Sequence, residues 1–149
     1  MGLEKEVMSK MKEAMKAKDT TALEALRAIK SAILLEKTKQ KDVKLTESDE
    51  LKILQKLVKQ RKDSADIYKQ QNRDDLAQIE LSQVTVIEQF LPKQLSFDEI
   101  EKIVIEIINR LGANSMKDMG KVMGIASKEL AGKADGKTIS TIVKEKLSQ

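Results

Sequence analysis

The sequence predicts an all-α, multihelical protein with an N-terminal helical subdomain and a C-terminal three-helix bundle. Apolar residues recur every three or four positions through most of the 149-residue chain, which is the spacing of helices that bury one face. Several of these segments begin with residues that cap helices. The single proline, Pro92, follows the fourth segment and cannot continue a helix.

Four helices are predicted before this proline. The tripeptide Lys18-Asp19-Thr20 separates the first two, and the second opens with a capping box of Thr21 and Glu24. A polar loop is expected from Lys39 to Lys44, before Thr46 opens the third helix. The four helices span about residues 3–17, 21–38, 46–71 and 74–91.

Three helices are predicted after the proline. Ser96 and Glu99 form a second capping box that opens the fifth helix, which Gly112 ends. Ser115 is predicted to cap the sixth helix, and Asp135 the seventh, although a turn and a strand are an alternative for the last segment. The domains expected are an N-terminal subdomain at 1–91, a hinge at 92–95 and a C-terminal subdomain at 96–149.

Composition narrows the classes of function. The chain has no cysteine and no histidine, so thiol chemistry is excluded and the commonest acid–base and metal-binding side chain is absent. We therefore expect no catalytic residue, no metal and no cofactor. No apolar stretch approaches the roughly 20 residues of a membrane span, and the N-terminus lacks the apolar segment of a signal peptide. A cytoplasmic location is the resulting expectation.

Basic charge is concentrated near the C-terminus. The net charge of the whole chain is +4, and residues 108–149 alone hold 8 basic and 4 acidic side chains. A local excess of this kind is what nucleic-acid binding requires.

Lysines and a glycine share one face of the predicted sixth helix. At helical spacing Lys117, Lys121 and Lys128 fall within about 40° of arc, with Gly124 between them. Glycine inside a helix costs about 1 kcal/mol relative to alanine. Gly124 therefore indicates close approach of a phosphate or, alternatively, of a neighbouring helix, whereas Gly120 is predicted to pack against a helix. The apolar face is predicted to contain Met116, Met119, Met123, Ala126 and Leu130.

The following segment, from Gly132 to Thr138, extends the basic surface with Lys133, Gly136 and Lys137. It resembles the end of a nucleotide-binding P-loop, but position 131 is alanine where that loop needs glycine. A single phosphate at the start of the seventh helix is a more modest hypothesis. The alternative is a capped loop that only reverses the chain.

Two N-terminal features allow more than one interpretation. Lys52, Lys56 and Lys59 share a face of the third helix and, with Arg61, form a secondary basic face. Arg61 itself falls within the apolar stripe, which favours an ion pair with another helix over a ligand phosphate. The first helix contains Met8, Met11 and Met15, for which filling of the core is favoured over an adaptable groove for a partner helix.

Several motifs together resemble the GatB/YqeY family over essentially the whole chain. The N-terminal ones are Arg27-Ala28-Ile29-Lys30-Ser31-Ala32, Val58-Lys59-Gln60-Arg61-Lys62-Asp63-Ser64, Arg73-Asp74-Asp75-Leu76 and Leu91-Pro92-Lys93-Gln94-Leu95-Ser96. The C-terminal ones, which are the more specific, are Gly112 to Gly124 and Gly132 to Lys137. Asn72 departs from the family pattern, in which glycine is common before Arg73.

This resemblance implies a helical module shared with the tail of GatB, a subunit of the tRNA-dependent amidotransferase. There the tail helps to hold tRNA while the chemistry occurs elsewhere, and free-standing members carry an inherited label of carbon–nitrogen ligase activity with glutamine as amide donor. The expected function is non-catalytic binding of tRNA or structured RNA through Lys117, Lys121, Gly124, Lys128, Gly132, Lys133, Gly136 and Lys137. The alternatives are a protein–protein adaptor that uses the N-terminal helices, and an amidotransferase, for which no nucleophile–base pair is visible.

Overall fold

Helices α1 and α2 form an antiparallel pair at the start of the chain. The computed structural model describes residues 2–39, 41 and 44–148, and α1 spans Leu3–Ala17 and α2 spans Thr20–Lys39. Lys18 adopts a left-handed conformation that ends α1. Asp19, rather than Thr21, caps α2, because its Oδ1 accepts a hydrogen bond from the Ala22 N–H at 3.0 Å. The predicted capping box at Thr21 and Glu24 is therefore wrong.

Helices α3 (Glu47–Gln70) and α4 (Asp74–Glu88) form a second antiparallel pair. The box that opens α3 joins Thr46 to Asp49, and it involves both the side chain and the backbone of each residue. Helix α4 ends three residues before the predicted Leu91. The predicted loop from Lys39 to Lys44 lies partly outside the described residues, and Lys39 itself belongs to α2.

The last three helices are α5 (Phe97–Leu111), α6 (Met119–Glu129) and α7 (Gly136–Leu147). The Ser96–Glu99 capping box, the left-handed Gly112 and the Asp135 cap are all confirmed. The alternative strand after Asp135 is wrong, because this segment forms α7. The described residues are all-α, as predicted, with seven α-helices and no strand.

Two separate compact units make up the chain, one up to Leu91 and one from Pro92 onward. The first contains α1 to α4 around a core that includes Val7, Ile29, Leu54 and Ile87. The second contains α5 to α7 around its own core, formed by residues such as Val104, Val122 and Ile142. Each hydrophobic core draws its residues from one unit alone.

Candidate nucleic-acid interface

The helix that carries the predicted lysine face begins later than expected. A 3₁₀ turn spans Met116–Asp118, and α6 starts only at Met119. Ser115 makes no side-chain cap, contrary to prediction. Instead, the Asp118 carboxylate accepts a hydrogen bond from the Asn114 N–H at 3.1 Å. Lys117 therefore precedes α6, whereas the other two lysines lie on it.

Lys117, Lys121 and Lys128 all extend into solvent. None forms an ion pair with another described residue. The acidic side chain at the end of α6, Glu129, is already paired with Arg110 of α5 at 3.0 Å. This hydrogen bond raises the pKa of Arg110 and offsets the negative charge of Glu129. The lysine charges are thus left without a partner inside the described part of the second unit.

Gly124 lies on the solvent-exposed side of α6 among these lysines. A Cβ atom added to it would meet no described atom within 4 Å, so the neighbouring-helix explanation for this glycine is wrong within the chain. The same is true of Gly120, for which helix packing was predicted. Neither glycine is explained by the packing of its own unit.

Together with Ser127, which is also exposed, these glycines form a narrow strip of bare helix surface. Gly120, Gly124 and Ser127 fall within about 60° of arc at helical spacing. Sequence reasoning identified Gly124 but missed its two neighbours, although the spacing of four residues between the glycines was a usable signal. We call this strip, with Lys117, Lys121 and Lys128, the α6 surface.

The opposite side of α6 faces the core of the second unit. Val122, Ala126 and Leu130 are buried, and Met119 and Met123 are partly buried. Met116 was predicted to belong to this side but is 46 % exposed, because it lies in the 3₁₀ turn before the helix. Val122 takes the central position that the sequence pattern gave to methionines.

The loop after α6 is held by the segment that was predicted to be a hinge. The side-chain amide of Gln94 donates to the carbonyl oxygen of Gly132 at 2.6 Å, and the Leu95 N–H donates to that of Lys133 at 3.0 Å. Gly132 is buried and has a φ of 75°. Its glycine is thus explained by backbone conformation, and we exclude Gly132 from the α6 surface.

The start of α7 is less open to a phosphate than the sequence suggested. Lys133, Gly136 and Lys137 are exposed beside it. However, the Oδ1 atom of Asp135 accepts a hydrogen bond from the Thr138 N–H at 2.7 Å. This carboxylate occupies one of the free N–H groups and places a negative charge at the helix start. The arrangement matches the alternative of a capped loop that reverses the chain.

The secondary basic face is divided by burial. Lys52, Lys56 and Lys59 are exposed on α3, whereas Arg61 is partly buried against α4. Its Nε donates to Gln83 Oε1 at 2.9 Å, and its Nη1 donates to the Leu57 carbonyl at 3.1 Å. The predicted ion pair of Arg61 is therefore wrong, since a neutral amide takes the place of the carboxylate. Gln83 in turn donates to Glu24 of α2 at 3.3 Å.

The methionines of α1 do not share one environment. Met11 packs against the core of the first unit. Met8 and Met15 are 42 % and 61 % exposed. Filling of the core is thus wrong as an explanation for these two.

Acidic side chains are scattered over the surface rather than gathered at one place. In the described part of the chain, no group of three or more of them is placed to hold a metal ion. None of the helices in those ranges has the length and apolar character needed to cross a bilayer.

Comparison with known proteins identifies relatives of two kinds. "Altered inheritance of mitochondria protein 41, mitochondrial" of Vanderwaltozyma polyspora is 32% identical over 126 residues, which cover 80% of this chain and 65% of that protein. Its counterpart in Clavispora lusitaniae is 36% identical over 107 residues, with 70% and 61% coverage. The E-type component of the glutamyl-tRNA(Gln) amidotransferase of Thermococcus gammatolerans is 39% identical over 59 residues, or 37% of this chain and 9% of that protein.

The chain thus spans about two thirds of the yeast proteins and a small part of the archaeal one. The family model described as YqeY-like protein matches residues 4–147, from the second residue of α1 to the last residue of α7. This match confirms the resemblance predicted from the motifs: the chain belongs to the YqeY-like protein family.

Proposed function

We propose that this protein is a non-catalytic binder of tRNA or another structured RNA, and that RNA phosphates contact the α6 surface. The observation that carries the proposal is Gly124, which is exposed among unpaired lysines and is not needed for packing within its own unit. The name of the archaeal relatives supports the choice of RNA, because it refers to a glutamyl-tRNA(Gln) amidotransferase.

The bare strip explains how a phosphate backbone is accommodated. Without side chains at Gly120 and Gly124, an RNA strand can approach the helix backbone closely. Lys121 and Lys128 then flank the strand, and Lys117 meets it at the start of the helix. Ammonium groups contact phosphates as point charges and read no base edge. Recognition by this surface therefore follows the shape of the RNA.

Three further exposed residues extend the proposed surface beyond α6. Lys133, Gly136 and Lys137 lie around the start of α7, where Asp135 already caps the helix. We assign the two lysines to outer phosphate contacts and assign no phosphate to the helix start itself. Lys52, Lys56 and Lys59 of α3 remain a secondary basic face whose contribution to binding we expect to be smaller.

A triple substitution tests the proposal directly. We expect Lys117→Ala/Lys121→Ala/Lys128→Ala to weaken tRNA binding roughly tenfold and to lower the slope of log K against log salt by about two. The matched control is Lys5→Ala/Lys12→Ala/Lys16→Ala, which removes the same charge from exposed positions on α1. Titration of labelled tRNA at several salt concentrations measures both quantities. Equal affinity of the two triple variants for tRNA would contradict the proposal.

The non-catalytic part of the proposal has a separate test. The chain offers neither a histidine nor a cysteine to activate glutamine. We therefore expect the purified chain to release no ammonia from glutamine, with or without tRNA. Release that increases with protein concentration and survives repurification would show that the chain is an amidotransferase.

A further inference from the structure

An exposed groove lies along the outer side of the α1–α2 pair. An ion pair between Glu4 of α1 and Lys37 of α2 fixes the antiparallel register of the two helices. Since each residue advances both helices equally, this register places Met8 opposite positions 33 and 34. Met8, Met15 and Leu34 lie on the flanks that carry this ion pair, and they are 42 %, 61 % and 65 % exposed. We call this feature the α1–α2 groove.

Basic side chains surround these three apolar ones. Lys5 and Lys12 follow the edge of the groove on α1, and Arg27 and Lys30 follow it on α2. All four are exposed, and none forms an ion pair or a side-chain hydrogen bond with another described residue. The acidic residue at this edge, Glu4, is already neutralised by Lys37. The rim of the groove is therefore positively charged.

The floor of the groove on the α1 side is concave. A shallow depression of about 500 Å³ is lined by Glu4, Lys5, Met8, Ser9 and Lys12. Methionine is unbranched and polarizable, and it adapts to partners of different shape. An apolar strip with a charged rim is the complement of an amphipathic helix that carries the opposite charge.

We infer that the α1–α2 groove binds an acidic amphipathic helix of a protein partner. Apolar side chains of that helix cover Met8, Met15 and Leu34, and its carboxylates face Lys5, Lys12, Arg27 and Lys30. A second copy of the chain does not fit, because a symmetric contact would bring the same basic rim against itself. RNA does not fit either, because its phosphates gain nothing from three exposed apolar side chains at the centre of the site.

A synthetic peptide pair tests this inference on the full-length protein. The first probe is a labelled 20-residue peptide with leucines at helical spacing (i, i+3, i+4, i+7) and glutamates on the rest of its surface. The second has the same composition in scrambled order, without an apolar stripe. We expect fluorescence anisotropy to show at least tenfold tighter binding of the first peptide. A third peptide, with lysine in place of glutamate, is expected not to bind.

Substitutions locate the binding. Met8→Glu is expected to weaken binding of the acidic peptide at least tenfold, and Leu34→Glu is expected to do the same. The matched control is Ile79→Glu, at an apolar residue of α4 that is 50 % exposed and outside the groove. This control is expected to bind like the unmodified protein. All three variants change exposed side chains, so circular dichroism should show unchanged helicity.

Four results would overturn the inference. The first is equally tight binding of the scrambled peptide, and the second is equal affinity of Met8→Glu and Ile79→Glu for the acidic peptide. The third is self-association in sedimentation equilibrium that Met8→Glu abolishes, which would make a second copy the occupant. The fourth is binding of anionic lipid vesicles through Met8 by a protein that does not bind the acidic peptide, which would make the occupant a membrane surface.

Discussion

At the scale of single residues, Gly124 connects the stability of the protein with its proposed function. It lies inside α6, is exposed, and has no described atom within 4 Å of an added Cβ. Alanine at an exposed position inside a helix is about 1 kcal/mol more favourable than glycine. The folded chain thus gives up stability at this position with no compensating contact inside the described part of its own unit.

We therefore expect Gly124→Ala to change stability and RNA binding in opposite directions. The free energy of unfolding should increase by up to about 1 kcal/mol, because alanine restricts the unfolded chain and favours the helix. The affinity for tRNA should fall, because the added methyl group lies where the strand approaches. Urea unfolding and tRNA titration measure the two effects. Increased stability with unchanged affinity would show that close approach at this glycine is not used.

Asn72 is a second residue whose backbone explains a feature of the sequence. Its φ is 59°, in the left-handed region, at the turn between α3 and α4. The glycine that is common here in the family is thus accounted for by conformation, and asparagine is one of the few other residues that adopt it readily. The departure from the family pattern preserves the turn.

This conformation predicts the effect of two substitutions. Asn72→Gly should leave stability unchanged or slightly increased. Asn72→Val should lower the free energy of unfolding by about 1–2 kcal/mol, because a β-branched side chain clashes in the left-handed region. Thermal unfolding of both variants measures the difference. Equal melting temperatures for the two variants would mean that the turn relaxes into another conformation.

At the scale of helices, caps determine how much of the fold the sequence reveals. Thr46, Ser96 and Asp135 each stand alone as candidate caps, and each one opens its helix as predicted. Before α2, Asp19 and Thr21 compete, and local sequence does not decide between them. Glu24, the predicted partner of Thr21, instead accepts a hydrogen bond from Gln83, 59 residues away. A contact of that range is not visible in the sequence.

The same limit applies to the candidate interface. Periodicity finds the buried side of a helix, but it does not show which flanking residues a neighbour covers. Met15 lies at the edge of the apolar stripe of α1 and is exposed, whereas Met11 at the other edge is packed. Likewise, the exposure of Gly120 became visible only once its surroundings were known.

The capping box of α5 gives a prediction about pH. The Ser96 N–H donates to the Glu99 carboxylate at 3.2 Å, and this hydrogen bond lowers the pKa of Glu99. A carboxyl group whose pKa is lower in the folded state stabilises the fold above its unfolded pKa of about 4.3. That contribution is lost as the pH falls through the folded pKa.

We expect Glu99→Gln to be less stable than the unmodified protein at pH 7 and equally stable at pH 3. Glutamine keeps an acceptor for the Ser96 N–H but does not ionise, so the difference between the two proteins should vanish once Glu99 is protonated. Thermal unfolding at several pH values measures this difference. A constant difference from pH 7 to pH 3 would show that packing, and not charge, makes Glu99 favourable.

At the scale of the whole molecule, the two units carry different proposed partners. The α1–α2 groove lies in the unit that ends at Leu91, and the α6 surface lies in the unit that begins at Pro92. Each unit has a core of its own, and both surfaces are basic. A protein that holds an RNA with one unit and an acidic helix with the other would act as a connector between the two.

Separate cores predict that the second unit folds and binds RNA alone. The buried side chains of α5, α6 and α7 contact one another, and the partly buried pair Lys146–Glu101 joins α7 to α5 at 3.1 Å. The loop after α6 is held by Gln94 and Leu95, so a fragment of residues 92–149 keeps those contacts.

We therefore expect the 92–149 fragment to be helical by circular dichroism, to unfold cooperatively and to bind tRNA with the affinity of the full chain. The same fragment with Lys117→Ala/Lys121→Ala/Lys128→Ala controls for the contribution of the α6 surface and should bind much more weakly. The acidic peptide should bind neither fragment, because the α1–α2 groove is absent from both. A folded fragment that fails to bind tRNA, beside a full chain that binds it, would assign the RNA contacts to the first unit and to the secondary basic face of Lys52, Lys56 and Lys59.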